Sequence, residues 1–180
     1  MSNHDREMKK VLLIDYFDIR SSIQDDKINF EVSDINDYDA VPFLGRSAVN
    51  NGIVDYVKRV PIKINNGGVI TIALDGSTGS TFYQFHEFSS GQNIWILTPK
   101  GDKLSVFTPD IALFLVTTIR KAVTNYTYNL SLTKTRLSLI KVYLPLNEDD
   151  TIDVGYIQNR MSKLRHANLL DEISQERIVQ

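Results

Sequence analysis

The sequence predicts an α+β fold, in which a mixed β-sheet with long polar loops is accompanied by one packed helix and a C-terminal helix. Short runs rich in β-branched and aromatic residues alternate with turn-forming segments between residues 40 and 100, which is typical of strands joined by loops. Extended helical spacing of apolar residues appears only later, over residues 108–123 and again from residue 151. We find no internal repeat or low-complexity segment.

The first part of the chain contains few clear strand signals. VLLIDYFDI, residues 11–19, indicates a short helix or turn with an apolar face. QDDKINFEVSDINDYDAVPFL follows and is acidic, becoming strand-like only in its last residues. The acidic residues between positions 25 and 39 are most simply interpreted as solvated surface.

The central strands are better defined. IVDYVKRV alternates and ends at Pro61, INNGG predicts a tight turn, and GVITIAL is a continuous apolar run typical of a buried strand. FYQFHEF and NIWIL predict two further strands around an SSGQ turn.

In the second half of the chain, the spacing of apolar residues changes from strand-like to helical. Thr108 and Pro109 supply a cap and a first-turn proline for an amphipathic buried helix, DIALFLVTTIRKAV. YTYNLSLTKTR shows no clean period, LSLIKVYLP predicts a strand that ends at a proline, and NEDD predicts a turn. The longest helical signal runs from Thr151 to about Ile178.

The predicted C-terminal helix carries an apolar stripe that begins with 3-4-3 spacing, a coiled-coil-like seam, and shifts after Asn168. Such a stripe can dock on the chain's own core or on another chain, and the sequence leaves both alternatives open. The residues expected to form this contact are Val154, Ile157, Met161, Leu164, Leu170 and Ile173.

The composition excludes several classes of chemistry. The chain has no cysteine, so disulfides, thiolate metal sites and cysteine nucleophiles are ruled out, and a reducing, cytoplasmic location is expected. No apolar run approaches the roughly 20 residues that span a bilayer. His4, His86 and His166 show no metal-ligand spacing, and neither a P-loop nor a G-x-S-x-G motif is present. We therefore expect no metal, no cofactor and no catalysis by this chain alone.

The charge is distributed unevenly along the chain. The formal net charge is -2, but residues 41–146 contain eleven basic and five acidic residues, whereas residues 11–40 contain two basic and eight acidic ones. Binding to phosphates depends on local charge, so the basic middle segment is compatible with nucleic-acid binding.

Two loops in this basic segment share an unusual composition. GRSAVNNG, residues 45–52, and DGSTGST, residues 75–81, are mostly small, hydroxylated or amide-bearing residues, and a basic, aromatic stretch follows the predicted helix. Arginine pairs with guanine and asparagine or glutamine with adenine, while hydroxyls contact phosphates or bases. Each loop alone is compatible with an ordinary turn, but the three together favour a DNA-binding surface. The candidate DNA-binding residues are Arg46, Ser47, Asn50, Asn51, Ser77, Thr78, Ser80, Thr81, Tyr83, Gln84, Lys121, Tyr126, Tyr128, Lys134 and Arg136.

These stretches resemble a known family. VLLIDYFDIRSS is similar to the opening of target-recognition domains from the specificity (S) subunits of type I restriction-modification systems and related type IIB/IIG enzymes. VPFLGRSAVNNGIVDYV and GVITIALDGSTGSTFYQF resemble the two strand-and-loop motifs of that family, and YNLSLTKTRLSLIKVYLP resembles its return to the sheet before a spacer helix. The resemblance covers about residues 11–178, and the two loop motifs are its most specific part.

The resemblance implies a non-catalytic DNA-recognition subunit that recognises one half of a bipartite site in double-stranded DNA. Residues 1–150 would form the target-recognition domain, and residues 151–180 a helix for spacing, dimerisation or partner docking. Full-length S subunits carry two such domains, so a single domain implies a half-subunit that pairs with its own copy. Methylation and cleavage would belong to methyltransferase and restriction subunits, which bind S-adenosylmethionine, ATP or Mg²⁺.

Two alternatives remain at this stage. The chain could be an interaction module or decoy that occupies the modification subunit through its C-terminal helix without binding DNA. It could also be a small enzyme that uses Asp75 or Tyr83, although the sequence offers no second carboxylate or histidine close to them.

Overall fold

The computed structural model of the chain describes residues 8–126 and 132–164. It has the predicted α+β architecture, built from short strands, one long helix and three short ones. The strands are β1 (Lys9–Leu12), β2 (Phe17–Ser21), β3 (Ala40–Leu44), β4 (Ile53–Lys58), β5 (Val69–Ala73), β6 (Thr81–Gln84), β7 (Ser89–Ser90), β8 (Ile94–Pro99) and β9 (Lys141–Leu144). The helices are α1 (Leu13–Tyr16), α2 (Pro109–Val123), α3 (Lys134–Ser138) and α4 (Val154–Met161).

The strands form three small sheets. The central sheet has the order β2-β8-β5-β6 and is antiparallel throughout. A second sheet has the order β4-β3-β7, in which β3 pairs antiparallel with β4 and parallel with β7. The β1 and β9 strands pair as a separate antiparallel ribbon. The mixed character predicted from the sequence therefore belongs to the second sheet.

The main core lies between the central sheet and α2. Apolar residues of α2 recur at helical spacing, and Ile111, Leu115 and Ile119 are completely buried against Ile70 and Ile72 of β5 and their neighbours. Since truncating a buried isoleucine or leucine to alanine costs about 2–5 kcal/mol, this contact fixes α2 firmly on the sheet.

A second apolar cluster joins the central sheet to the β4-β3-β7 sheet. It contains Leu44 of β3, Phe88, and Val69 and Ile96 of the central sheet. The central sheet is thus covered by helices on one face and by the second sheet on the other. This arrangement brings the hairpin turn of β3-β4 close to that of β5-β6.

The structure corrects the predicted C-terminal helix. The described helix α4 ends at Met161, and Ser162 forms its C-terminal cap. Ile157 and Met161 are buried in the chain's main core and Val154 packs against it, so these three stripe residues face their own domain rather than a partner. Leu164 is 55% exposed. Leu170 and Ile173 lie outside the described residues.

Three local predictions also change. Residues 11–19 form the end of β1, the short α1 and part of β2 instead of a single helix or turn. The SSGQ segment begins with β7, a short strand paired with β3, and both of its serines are buried. The TKTR part of the aperiodic stretch starts α3, with the Thr133 hydroxyl accepting a hydrogen bond from the Arg136 N–H at 3.2 Å.

The acidic segment is exposed, as expected, and is fastened by ion pairs. Asp25 contacts Lys63 at 2.6 Å, and further pairs join Lys27 to Asp55 and Lys58 to Glu31. Hydrogen bonding to the Lys63 ammonium lowers the pKa of the Asp25 carboxyl to about 2. Within the described residues, we find no helix both long enough and apolar enough to span a membrane.

Candidate nucleic-acid interface

The two polar loops predicted from the sequence lie together. Loop 1 (residues 45–52) joins β3 to β4, and loop 2 (residues 74–80) joins β5 to β6. The N–H of Ser77 donates to the carbonyl of Arg46 at 3.3 Å, and a Cβ added to Gly76 would lie 2.9 Å from the Arg46 Cβ. The backbones of the two loops therefore touch, although they are about thirty positions apart in the sequence.

The conformation of loop 1 explains its Asn-Asn-Gly sequence. Asn50, Asn51 and Gly52 have φ values of 50°, 51° and 81°, in the left-handed region that asparagine and glycine tolerate better than other residues. The loop is closed by the Gly45 N–H donating to the Gly52 carbonyl at 2.9 Å. The turn is thus held in one shape, and its exposed side chains project from a fixed backbone.

Asn51 fastens loop 1 to the central sheet. Its side-chain NH₂ donates to the Tyr83 carbonyl and to Gln84 Oε1, both at 3.1 Å. The NH₂ of Gln84 donates in return to the Asn51 carbonyl at 3.1 Å and to Thr71 Oγ1 at 2.9 Å. The NH₂ groups of both carboxamides are used for bonds within the protein, so Asn51, although exposed, acts as a support of loop 1.

Three candidate DNA-binding residues on β6 are buried, which corrects the sequence prediction. Thr81 is fully buried and its hydroxyl donates to the Gly79 carbonyl. Tyr83 belongs to the main core, where its ring packs edge-on against Phe85 and Phe107. Gln84 is 3% exposed within the network with Asn51. Thr81 and Tyr83 lie on one face of β6 and Gln84 on the other, and all three are buried because the central sheet is covered on both faces. The polar composition of STFYQ does not reveal this burial.

Loop 2 is held against α2. Gly79 has a φ of 82°, and a Cβ at this position would lie 2.9 Å from the Val123 side chain near the end of α2. Only glycine combines this backbone conformation with such a close approach. The contact places loop 2 beside the last turn of α2.

A polar cluster joins the two loops. Arg46 donates from Nη1 to Asp75 Oδ2 at 3.0 Å, and the Asn93 side chain donates to the same oxygen at 2.8 Å. Asp75 Oδ1 is buried without a hydrogen-bond partner among the described residues. Asp75 therefore holds one face of the Arg46 guanidinium, whose remaining N–H groups make no hydrogen bond to a described residue.

Unused hydrogen-bonding groups face outward from loop 2. Within the described part of the chain, the hydroxyls of Ser77, Thr78 and Ser80 make no hydrogen bond. Loop 1, loop 2 and the end of α2 surround a groove of about 240 Å³, which we term the loop groove. Its lining includes Ala48, Thr78, Ser80, Arg120, Thr124 and Tyr126. The structure thus brings both predicted loops and Tyr126 to one place.

The remaining basic candidates have different surroundings. Lys121 is exposed on α2, adjacent to Arg120. Lys134 lies over the Trp95 ring, 5.6 Å from its centroid, and Trp95 is two residues from Asn93. Arg136 is exposed on α3. Tyr128 lies outside the described residues.

Two residues of this surface were missed by the sequence prediction. Val49 at the tip of loop 1 is 71% exposed, and an apolar residue inside a polar loop was the available signal. Arg120 was hidden by its place in an amphipathic helix. Its Nε–H donates to the Thr81 carbonyl at 2.7 Å, and its guanidinium lies 4.6 Å from the Phe82 ring centroid.

The described residues contain no group of three or more His, Cys, Asp or Glu side chains arranged to hold a metal ion. The surface offers hydroxyls, one valine and guanidinium groups on a fixed backbone. The hydroxyls can donate to phosphates and can donate to or accept from bases, the guanidinium groups can donate to both, and the valine can make apolar contacts with bases.

Comparison with known proteins identifies the class to which this fold belongs. Residues 6–175 match the family model described as type I restriction modification DNA specificity domain. The chain therefore belongs to this family of non-catalytic DNA-recognition domains, as the sequence resemblance and the absence of catalytic motifs predicted.

Particular relatives agree with this assignment. The chain is 26% identical over 123 residues to the type II restriction enzyme BgcI specificity subunit S.BcgI of Heyndrickxia coagulans, covering 68% of this chain and 35% of that protein. Its fold is similar to the type I restriction-modification S subunit from M. genitalium, with a TM-score of 0.57 and 16% identity, covering 94% of this chain and 40% of the other. The HsdS subunit from Thermoanaerobacter tengcongensis gives a TM-score of 0.56 and 15% identity, covering 97% and 39%.

The fold is also similar to a chain in a structure described as the basis of complex assembly and conformational transition of the type I R-M system. The TM-score is 0.59 and the identity is 16%. The match covers 97% of this chain and 40% of the other. This chain thus spans about two-fifths of the length of the proteins it matches, which corresponds to one recognition domain of a longer S subunit.

Proposed function

We propose that this chain binds one half of a bipartite site in double-stranded DNA through the surface formed by loop 1, loop 2 and the end of α2. The observation that carries the proposal is the joining of two distant polar loops by backbone contact, with the Ser77, Thr78 and Ser80 hydroxyls unused. A rigid tip with free hydrogen-bonding groups can recognise bases without a large ordering cost.

The side chains divide into two roles. Arg46 and Val49 are exposed on loop 1, and the loop 2 hydroxyls are half-exposed; we infer that these groups face the base edges. Ser47, whose hydroxyl also bonds to the Val49 backbone, would lie beside them. Asp75 would orient Arg46 for guanine, and the methyl groups of Val49 would contact the methyl group of thymine. Lys121, Lys134 and Arg136 would contact phosphates, which adds affinity without sequence preference.

The binding test compares two arginines that each form an ion pair. Arg46 pairs with Asp75 on the proposed surface, whereas Arg59 pairs with Glu87 at 2.5 Å just beyond the opposite end of β4, about 20 Å away for a six-residue strand. Arg46→Gln should weaken binding to a selected duplex by about fivefold or more, since a bidentate guanine contact contributes about 1–3 kcal/mol. Arg59→Gln should leave binding unchanged.

The measurement is fluorescence anisotropy with duplexes selected from a random library, at several salt concentrations. If the chain binds no duplex even at low salt with the modification subunit present, the proposal is wrong. Equal losses from Arg46→Gln and Arg59→Gln would reject the placement of the surface while leaving DNA binding intact.

The docking of a methyltransferase subunit and pairing with a second copy are further parts of the proposal. They are supported by the family to which the chain belongs. Mass measurement of the complex with and without DNA tests both. Partner binding that is lost in Leu164→Glu, in a chain that binds no DNA, would favour the interaction module or decoy instead.

A further inference from the structure

The last turns of α2 separate two grooves. The loop groove lies on one side, where it contacts Arg120 and Thr124. On the other side, a larger depression of about 680 Å³ lies between α2 and the β1-β9 ribbon. Its lining includes Lys10, Lys121, Lys141, Thr118, Asn125 and Tyr143, and none of its described lining residues is acidic. We term it the lysine groove.

Three different elements bring the lysines together. Lys10 of β1 lies opposite Tyr143 of β9, with its Nζ 5.6 Å from the ring centroid. Lys141 lies two residues before Tyr143 and shares its face of the ribbon, because side chains alternate along a strand. Lys121 reaches the groove from α2. All three lysines are exposed.

These lysines differ from their neighbours in having no internal counter-charge. No ion pair or side-chain hydrogen bond joins Lys10, Lys121 or Lys141 to another described residue. Lys9, adjacent to Lys10 but on the other face of the ribbon, pairs with Asp150 at 3.5 Å. Three unneutralised cations around one depression repel each other, and an anion with several charges relieves that repulsion.

The lysine groove continues the surface proposed for DNA. Arg120 and Lys121 are consecutive residues that line the two grooves separately, as are Thr124 and Asn125. An α-helix is only about 10–12 Å wide with its side chains, so both grooves fall within the footprint of one duplex. The alkyl stems of the lysines, Ala122 and the Tyr143 ring give the groove apolar walls, which suit the sugars between phosphates.

From this geometry we propose that the lysine groove binds backbone phosphates of the same duplex, immediately beside the bases that the loops contact. The inference rests on the proposed function and extends it to Lys10 and Lys141, which no sequence motif identifies. Since phosphate contacts carry no sequence information, the groove adds affinity and fixes the register of the duplex.

The test is the salt dependence of DNA binding by the full chain, measured on a selected duplex and on a duplex of unrelated sequence. The double substitution Lys10→Gln/Lys141→Gln should reduce the slope of log K against log salt by about 1.8, because each phosphate contact contributes about 0.9. Affinity should fall equally for all sequences. The matched control is Lys9→Gln, which changes the neighbouring lysine on the opposite face and should alter neither quantity.

A second measurement locates the contact on the DNA. Uncharged methylphosphonate links beside the selected bases should weaken binding of the unmodified chain more than binding of the Lys10→Gln/Lys141→Gln variant, which keeps only Lys121 of the three lysines. The inference is overturned if the double variant keeps the original slope and affinity, or if it weakens only the binding of a partner subunit. If Arg46→Gln weakens binding as expected while the double variant leaves affinity and salt slope unchanged, the proposed function stands and the lysine groove is rejected. Absence of any DNA binding rejects both.

Discussion

Removing the Asn51 side chain should destabilise the protein by about 2–4 kcal/mol. Asn51→Ala deletes two hydrogen bonds to Tyr83 and Gln84, each with a net contribution of about 1 kcal/mol. It leaves the buried Oε1 of Gln84 without this donor, and it places alanine at a φ of 51°, where the left-handed backbone costs roughly 1 kcal/mol.

Asn50→Ala is the matched control for this prediction. Asn50 has nearly the same backbone conformation, with a φ of 50°, but its side chain bonds only within the same turn, to the Ile53 carbonyl at 3.2 Å. The difference between the two variants therefore isolates the bonds between loop 1 and β6. We expect Asn51→Ala to lose about 1–2 kcal/mol more than Asn50→Ala.

The assay is urea unfolding followed by circular dichroism, with a double-mutant cycle between Asn51→Ala and Gln84→Ala. A coupling energy of about 1–2 kcal/mol is expected for two side chains in one network. Equal stability losses at positions 50 and 51, together with zero coupling, would refute the assignment of Asn51 as a support. Its substitution should also weaken binding to all duplexes equally, whereas a base contact would alter sequence preference.

The remaining predictions concern packing, charge and recognition. Gly79→Ala should destabilise by about 2 kcal/mol or more in urea unfolding, because a Cβ there meets Val123 at 2.9 Å with a φ of 82°; an unchanged midpoint would contradict the close approach. Ile157→Ala should cost about 2–5 kcal/mol, whereas Leu164→Ala, at an exposed position, should remain within about 0.5 kcal/mol of the original chain. Lys63→Gln should raise the pKa of Asp25 from about 2 toward its ordinary 3.8, measured by NMR titration. Since the folded-state pKa is depressed, this ion pair stabilises the protein above pH 3.8 and ceases to do so as the pH falls toward 2. Replacing the contacted thymine by uracil should weaken DNA binding of the original chain by about 0.8 kcal/mol, or roughly fourfold, because one methyl contact is lost. The same replacement should not change DNA binding of the Val49→Ala variant. The control is Val32→Ala, which changes another exposed valine and should respond to uracil as the original chain does.

Strands and the long helix were predictable because their signals are local. The β-branched run of β5 and the proline-capped apolar repeat of α2 each specify a period within a few residues. The loops were predictable for a similar reason, since Asn-Asn-Gly and Gly-Ser-Thr-Gly stretches readily adopt the positive φ angles observed at positions 50–52, 76 and 79.

Side-chain direction was less predictable because it depends on contacts between distant segments. Gln84 and Asn51 have the same functional group and similar polar surroundings in the sequence, yet one is buried and the other links it to a surface loop. Likewise, the Val154, Ile157 and Met161 spacing suits a coiled coil and a core contact equally. In the structure, α4 packs beside α2 and these residues complete the chain's own core, so the core contact is the one formed.

In loops 1 and 2, some side chains support the fold and others only face outward, and this separation affects how the sequence of such a domain can change. The groups at positions 47, 51, 79 and 84 maintain the shape of the tips, whereas the outward side chains at positions 49, 77, 78 and 80 make no hydrogen bond to a described residue. Exchanges at the outward positions should therefore be nearly neutral for folding, within about 0.5 kcal/mol each. A new target preference can accumulate there one residue at a time, without a compensating change in the scaffold.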